Sequence, residues 1–115
     1  MHRGAQADLP EVPPLFQLTA LYHQPDDAAA FDEHYDGTHV PLTTKIPGLQ
    51  RYTVSRPAPD RRGNPPAYHL VAVLEWEDEA AFGAGMRSPE GKATSADLAN
   101  FTAGVTMLTG SSTTI

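Results

Sequence analysis

Among the side chains suited to proton chemistry in this 115-residue chain, His39 stands out. An imidazole titrates close to neutral pH, so it takes or gives a proton without strong tuning. His39 sits in the run FDEHYDGTHVPLTTKIPGLQRYTVSR, Phe31 to Arg56, four residues after Tyr35 and two before Pro41. At helical spacing Phe31, Tyr35, Thr38 and Leu42 make one side, and His39 shares a side with Tyr35. A ring placed there points into the core or to the edge of a cavity. The bland alternative is a structural histidine, bonded to a backbone carbonyl that Pro41, lacking an N–H, leaves free. Tyr52 is the second catalytic candidate. On an alternating strand it shares a face with Val54, while Arg51, Thr53 and Ser55 take the other. The apolar choice turns its phenol towards the helices and His39, where it would donate to a developing oxyanion or orient a substrate carbonyl. Its alternative is an aromatic core filler with its hydroxyl at the surface.

Tyr35, one turn before His39, would orient it or line a ligand pocket. Trp76, Phe82, Phe16 and Phe101 would wall such a pocket for a flat apolar ligand, and would equally serve as the core of any small domain. His34 and His39 are five residues apart, which places them on different sides of an α-helix and denies a metal its i, i+4 pair. His69 and Glu75, with Arg51 nearby, read as a polar network at a subunit interface. Glu33 and Asp36 read as solvated helix charges, and His2 and His23 as exposed. The sequence holds no glycine-rich phosphate loop, dinucleotide fingerprint or nucleophile elbow. It also has no cysteine, which excludes disulfides, thiolate metal sites and thiol nucleophiles. No cofactor and no metal are expected.

The elements that must position these residues follow from punctuation and periodicity. Residues 1–14 are polar and proline-rich and read as a flexible arm. LFQLTALY, Leu15–Tyr22, is a short apolar strand. Asp27 caps a helix from about Ala28 to Val40 that Pro41 should end or bend. Pro47-Gly48 turns the chain into a second strand, roughly 49–56, and the proline-rich stretch 57–66 is a loop. In the third strand, Tyr68–Trp76, the even-numbered residues share one face and the odd-numbered ones, His69 to Glu75, the other. Asp78 caps a second helix around Phe82–Met86, Ser88-Pro89 restarts it through Leu98 and Phe101, and a fourth strand spans about 104–109. The domain thus covers 15–110, with 111–115 as a tail. This order is β-α-β-β-α-β, an α+β ferredoxin-like arrangement of a four-stranded antiparallel sheet with both helices on one face. The other face carries Val71 and Val73, too apolar for water, so a homodimer through the sheet faces is expected.

The formal charge of −6 argues against nucleic-acid and anionic-membrane partners. Without a signal peptide or a membrane span, a cytoplasmic location is expected.

The series Phe31, Tyr35, His39, Pro41-Leu42, Pro47-Gly48, Tyr52 resembles the EthD family of the dimeric α+β barrel superfamily. YHLVAVLEWEDEAAF followed by SPEG resembles the same family's third strand and second helix, so the likeness runs from about Leu15 to Gly110. It implies two ferredoxin-like units whose sheets meet as a barrel, with a small ligand between sheet and helices. Relatives include polyketide cyclases, isomerases, cofactor-free monooxygenases and haem-using enzymes. The implied function is a small cofactor-independent enzyme acting on an apolar oxygenated molecule, aromatic or polyketide-like, by general acid/base chemistry. The alternative is a non-catalytic ligand-binding accessory protein of an oxidative degradation pathway.

Overall fold

The computed structural model describes residues 13–115. His2 and nearly all of the expected arm, residues 1–14, lie outside the described residues. Four strands form the sheet: β1 (Leu15–His23), β2 (Arg51–Ser55), β3 (Tyr68–Trp76) and β4 (Val105–Ser112). They pair antiparallel in the order β2-β3-β1-β4, the ferredoxin-like order that two helical crossovers produce. Strand alternation decides what is buried. Phe16, Leu18, Ala20 and Tyr22 of β1 face the helices, as do Leu70, Ala72, Leu74 and Trp76 of β3. The opposite face carries Thr19, Leu21, Val71, Val73 and Leu108, and no element packs on it among the described residues. β2 is shorter than its sequence suggests, and β4 continues three residues further, through Ser112.

The first crossover does not stop at Pro41. It consists of α1 (Ala28–His34), a π-helical turn (Tyr35–His39) and α2 (Val40–Thr43). The Asp27 carboxylate caps α1 by accepting from Ala30 N–H at 3.0 Å. Asp36, Gly37 and Thr38 are poor α-formers, and Pro41 has no N–H to offer. The chain accommodates both by widening: the Val40 N–H reaches back five residues to the Tyr35 carbonyl. The helix then resumes instead of ending.

The second departure from alternation is in β3. Tyr22 pairs with Leu70 but His23 pairs with Tyr68, so His69 is an extra residue, a β-bulge. The bulge corrects the expected facing of this end of the strand. His69 does not join Glu75 on the open face. It turns to the helix side, packs edge-on against Phe31 with ring centroids 5.0 Å apart, and sets Nε2 2.8 Å from an Asp32 oxygen.

The second crossover is α3 (Glu79–Arg87), α4 (Pro89–Asp97) and a 3₁₀ turn (Leu98–Asn100). Asp78 caps α3 and Ser88 caps α4. The corner between them is tight: a β-carbon on Gly91 would lie 2.7 Å from Met86 Cα. Glycine at this point is what lets α4 fold back on α3 and deliver its last residue, Asp97, to the first crossover. Among the described residues no helix is long and apolar enough to cross a membrane. Gly91→Ala is expected to cost about 1–3 kcal/mol, read as a lowered urea midpoint; an unchanged midpoint would show that the corner relaxes freely.

Candidate active site

The helix side of the sheet has a low centre. Ala20 and Ala72 are cross-strand partners there, flanked by the larger rungs Tyr22–Leu70 and Leu18–Leu74. The crossovers rest on the large rungs, and a cavity of about 30 Å³ remains above the alanines, lined also by Tyr22, Tyr35, His39 and Tyr52. That is room for a water or two. Two further walls, Met86 and Met107, are unbranched thioethers that repack easily. Met107 lies on the edge strand β4 and is 44 % exposed, so the cavity can widen on that side.

His39 is 4 % exposed and looks into this cavity. Its Nδ1 lies 3.0 Å from Oδ2 of Asp97, itself 5 % exposed. Asp97 also accepts from Asn100 Nδ2 at 3.0 Å, and from His34 Nε2 at 2.9 Å through Oδ1 and 3.1 Å through Oδ2. An ionised carboxylate only accepts, so the hydrogen-bond network assigns hydrogens to His39 Nδ1 and His34 Nε2. The neutral His39 ring therefore keeps its lone pair on Nε2, 3.4 Å from the Tyr22 hydroxyl. Burial opposes ionisation of Asp97, but the donors Asn100, His34 and His39 outweigh it and hold the carboxyl below the usual carboxylate range. Burial likewise pushes His39 below the ordinary imidazole value, against the pull of Asp97. The outcome is a neutral, oriented base backed by a fixed anion.

The convergence of His34 and His39 on one carboxylate corrects the expectation that they lie on different sides of the helix. Five residues make about 1.4 turns of an α-helix, but about one turn when bonds run i to i+5. The π turn brings the two rings to the same side. The alternative reading of His39, a ring bonded to a freed backbone carbonyl, is replaced by these side-chain partners.

The tyrosines form a second polar group. Tyr35 and Tyr52 hydroxyls are 2.6 Å apart, and both residues line the cavity. Burial raises the pKa of Tyr22, Tyr35 and Tyr52, so all three stay protonated and act as hydroxyl donors, not bases. Tyr52 does face the helices, as its alternation requires.

Trp76, Phe82 and Phe16 do not line the cavity. They pack on one another at the far end of the sheet, with Phe82 5.0 Å from Phe16 and 5.1 Å from Trp76 between centroids. Trp76 is four residues along β3 from Ala72, about 13 Å at strand rise, and Leu74 fills the space between. Phe101 stands behind His39, with ring centroids 4.8 Å apart. Asp36 is not merely solvated: Arg56 reaches it at 3.3 Å. Among the described residues no group of three or more His, Asp or Glu side chains is arranged to hold a metal.

Sequence reasoning missed Asp97. The signal was available: a carboxylate in the last turn of a helix opposes the helix dipole, and Asn100 follows three residues later. The Ala20–Ala72 rung was also legible, as the small residues in otherwise bulky strands.

Comparison with known proteins agrees with this architecture. The EthD domain matches residues 23–104. The chain belongs to the EthD family. It is 43 % identical, over 82 % of its length and 91 % of the relative's, to an uncharacterised 11.0 kDa protein from the thcB-thcC intergenic region of Rhodococcus erythropolis. An EthD-family crystal structure from Bacillus halodurans superposes with a TM-score of 0.79 at 39 % identity, covering 84 % of this chain and 96 % of that one. SnoaB, a cofactor-independent oxygenase from Streptomyces nogalater, shares the fold at a TM-score of 0.58 and 17 % identity, over 90 % and 95 % of the two chains.

The two shifted groups give stability a definite pH dependence. Both native pKa values lie below their unfolded counterparts, so the unfolded chain binds more protons and stability rises with pH. As pH falls, His39 withdraws stability below 6.5 and Asp97 below 3.8. Urea titrations from pH 7 to 5 should show a falling unfolding free energy in the native protein and a flatter profile in His39→Gln. Equal slopes would remove His39 as the source.

Proposed function

We propose that this EthD-family chain is an enzyme acting on small apolar oxygenated molecules, aromatic or polyketide-like, with His39 as its general base. The observation that carries the reading is the buried Asp97–His39 pair, with the Nε2 lone pair turned to the cavity side, where the Tyr22 hydroxyl lies 3.4 Å away. In the first step Nε2 takes a proton from a carbon next to a substrate carbonyl. The C–H electron pair moves into the new carbon–carbon double bond, and the carbonyl oxygen becomes an enolate oxygen. The imidazolium formed is stabilised by Asp97, to which Nδ1–H is already bonded. A neutral tyrosine hydroxyl, Tyr22 beside Nε2 or Tyr52 at the cavity wall, donates to the enolate oxygen. Return of the proton to a second carbon completes an isomerisation; its use on a leaving or attacking oxygen completes a dehydration or cyclisation. SnoaB, a cofactor-independent oxygenase, supports the reading in that the same fold there hosts catalysis without a cofactor. The apolar part of the lining, Leu18, Ala20, Ala72 and Leu74, strengthens each polar contact.

The test has two parts. On a substrate found by incubation and mass analysis, His39→Ala and Asp97→Asn should each lower turnover by about 10²–10⁴-fold, with circular dichroism unchanged. Ala72→Leu should fill the floor and abolish ligand binding while leaving the Asp97–His39 pair in place. Binding without any product would replace the enzyme with a carrier, and full turnover in His39→Ala would remove the base.

We further propose that the open sheet face is covered by a second copy of the chain. Leu21, Val71, Val73 and Leu108 lie on it, Leu108 being 56 % exposed. Oε1 of Glu75 lies buried on the same face without a hydrogen-bond partner, its nearest cation being Arg51 Nε at 3.9 Å. Such a carboxylate calls for a donor from outside the chain. Light scattering should give twice the 12.4 kDa chain mass and, for Val73→Glu, a single chain mass; a native monomer would overturn the assembly.

A further inference from the structure

We propose that His34 is a positioning residue for His39, acting through the carboxylate the two rings share. The inference rests on the reading of His39 as the base, but its test does not need a substrate.

Asp97 sits between the cavity and an open groove. On one side His39 carries it to the cavity. On the other, His34 lies in the floor of an open groove of about 850 Å³ that is also lined by Phe31, Thr38, Asn100 and Phe101. His34 Nε2 and Asn100 Nδ2 both bond Oδ1, at 2.9 and 3.0 Å. With that oxygen held, the carboxylate has no freedom to turn, and Oδ2 stays on His39 Nδ1. Phe101 locks the pair from behind: it stacks on His34 with centroids 5.0 Å apart and the planes 18° from parallel, and it touches His39 at 4.8 Å. His34 thus fixes where Asp97 points and how much of its charge is left for His39.

The second effect makes the outer ring a control on the inner one. His34 has a 28 % exposed side chain, and its Nε2 is committed to Asp97, which leaves Nδ1 to take a proton from the groove side. A charged His34 draws the Asp97 carboxylate more strongly and opposes a second positive charge on His39. The other groups around these rings are few. His23, Asp26, Asp27 and Glu33 share the groove with His34. His39 meets Tyr22 from β1 and Tyr35 from its own helix. None of them touches both imidazoles and the carboxylate. The base inside the cavity is therefore coupled to a residue outside it through one shared anion.

The experiment is an NMR titration of the histidine ring Cε1–H groups in the full chain. His34→Phe keeps a flat ring against Phe101 but removes the donor; His34→Gln keeps a neutral donor. In His34→Phe the His39 midpoint should rise by roughly one pH unit, the size of one hydrogen bond to a charged group. In His34→Gln it should stay near the native value. A His39 midpoint unmoved in a folded His34→Phe overturns the proposal. That result leaves the turnover test of His39→Ala untouched, so the two readings fail separately.

Discussion

A single buried carboxylate organises the helical layer. Asp97 is nearly sealed from water, and an ion in that position is costly unless its lone pairs are filled. Three side chains fill them: Asn100 from the turn just beyond it, and His34 and His39 from the other crossover. The contact therefore joins the two crossovers at one point and sets the tautomer of His39 at the same time. Removal of any donor leaves charge uncompensated in a place where it cannot be hydrated. The apolar contacts around it hold the layers together, and the carboxylate fixes their register.

Two local irregularities set the direction of histidines on the helix side of the sheet, and both are departures from simple periodicity. The π turn inserts one residue's worth of rotation before Pro41, which aligns His34 with His39. The bulge at His69 turns a side chain that alternation would assign to the open face back towards Phe31 and Asp32. Each is anchored by a residue that regular structure handles poorly or by a neighbouring polar partner. Each also re-aims a histidine. Bulges and π turns do this because one extra residue shifts the phase of the side chains that flank it.

The sequence made the strands, their order, the caps at Asp27 and Asp78, the helix restart at Ser88-Pro89, and the inward direction of Tyr52 legible, because these depend on local pattern and short-range hydrogen bonds. It also singled out His39, through its spacing from Tyr35. What stayed hidden was non-local. Asp97 lies fifty-eight residues from His39, and nothing in either neighbourhood names the other. The aromatic residues misled for a related reason: composition marked Trp76, Phe82 and Phe16 as pocket walls, whereas the distance along the strand puts them at the opposite end. Size mattered more than aromaticity, since the hollow is where side chains are absent.

The cavity floor is made by two short side chains that face each other where β1 and β3 pair in register, short of the bulge at His69. The backbone beneath the cavity is thus indifferent to what lies above it. Exchange of Ala20 or Ala72 for a slightly larger or smaller residue would reshape the chamber one methyl group at a time, while Asp97 and the helix ends stay where they are.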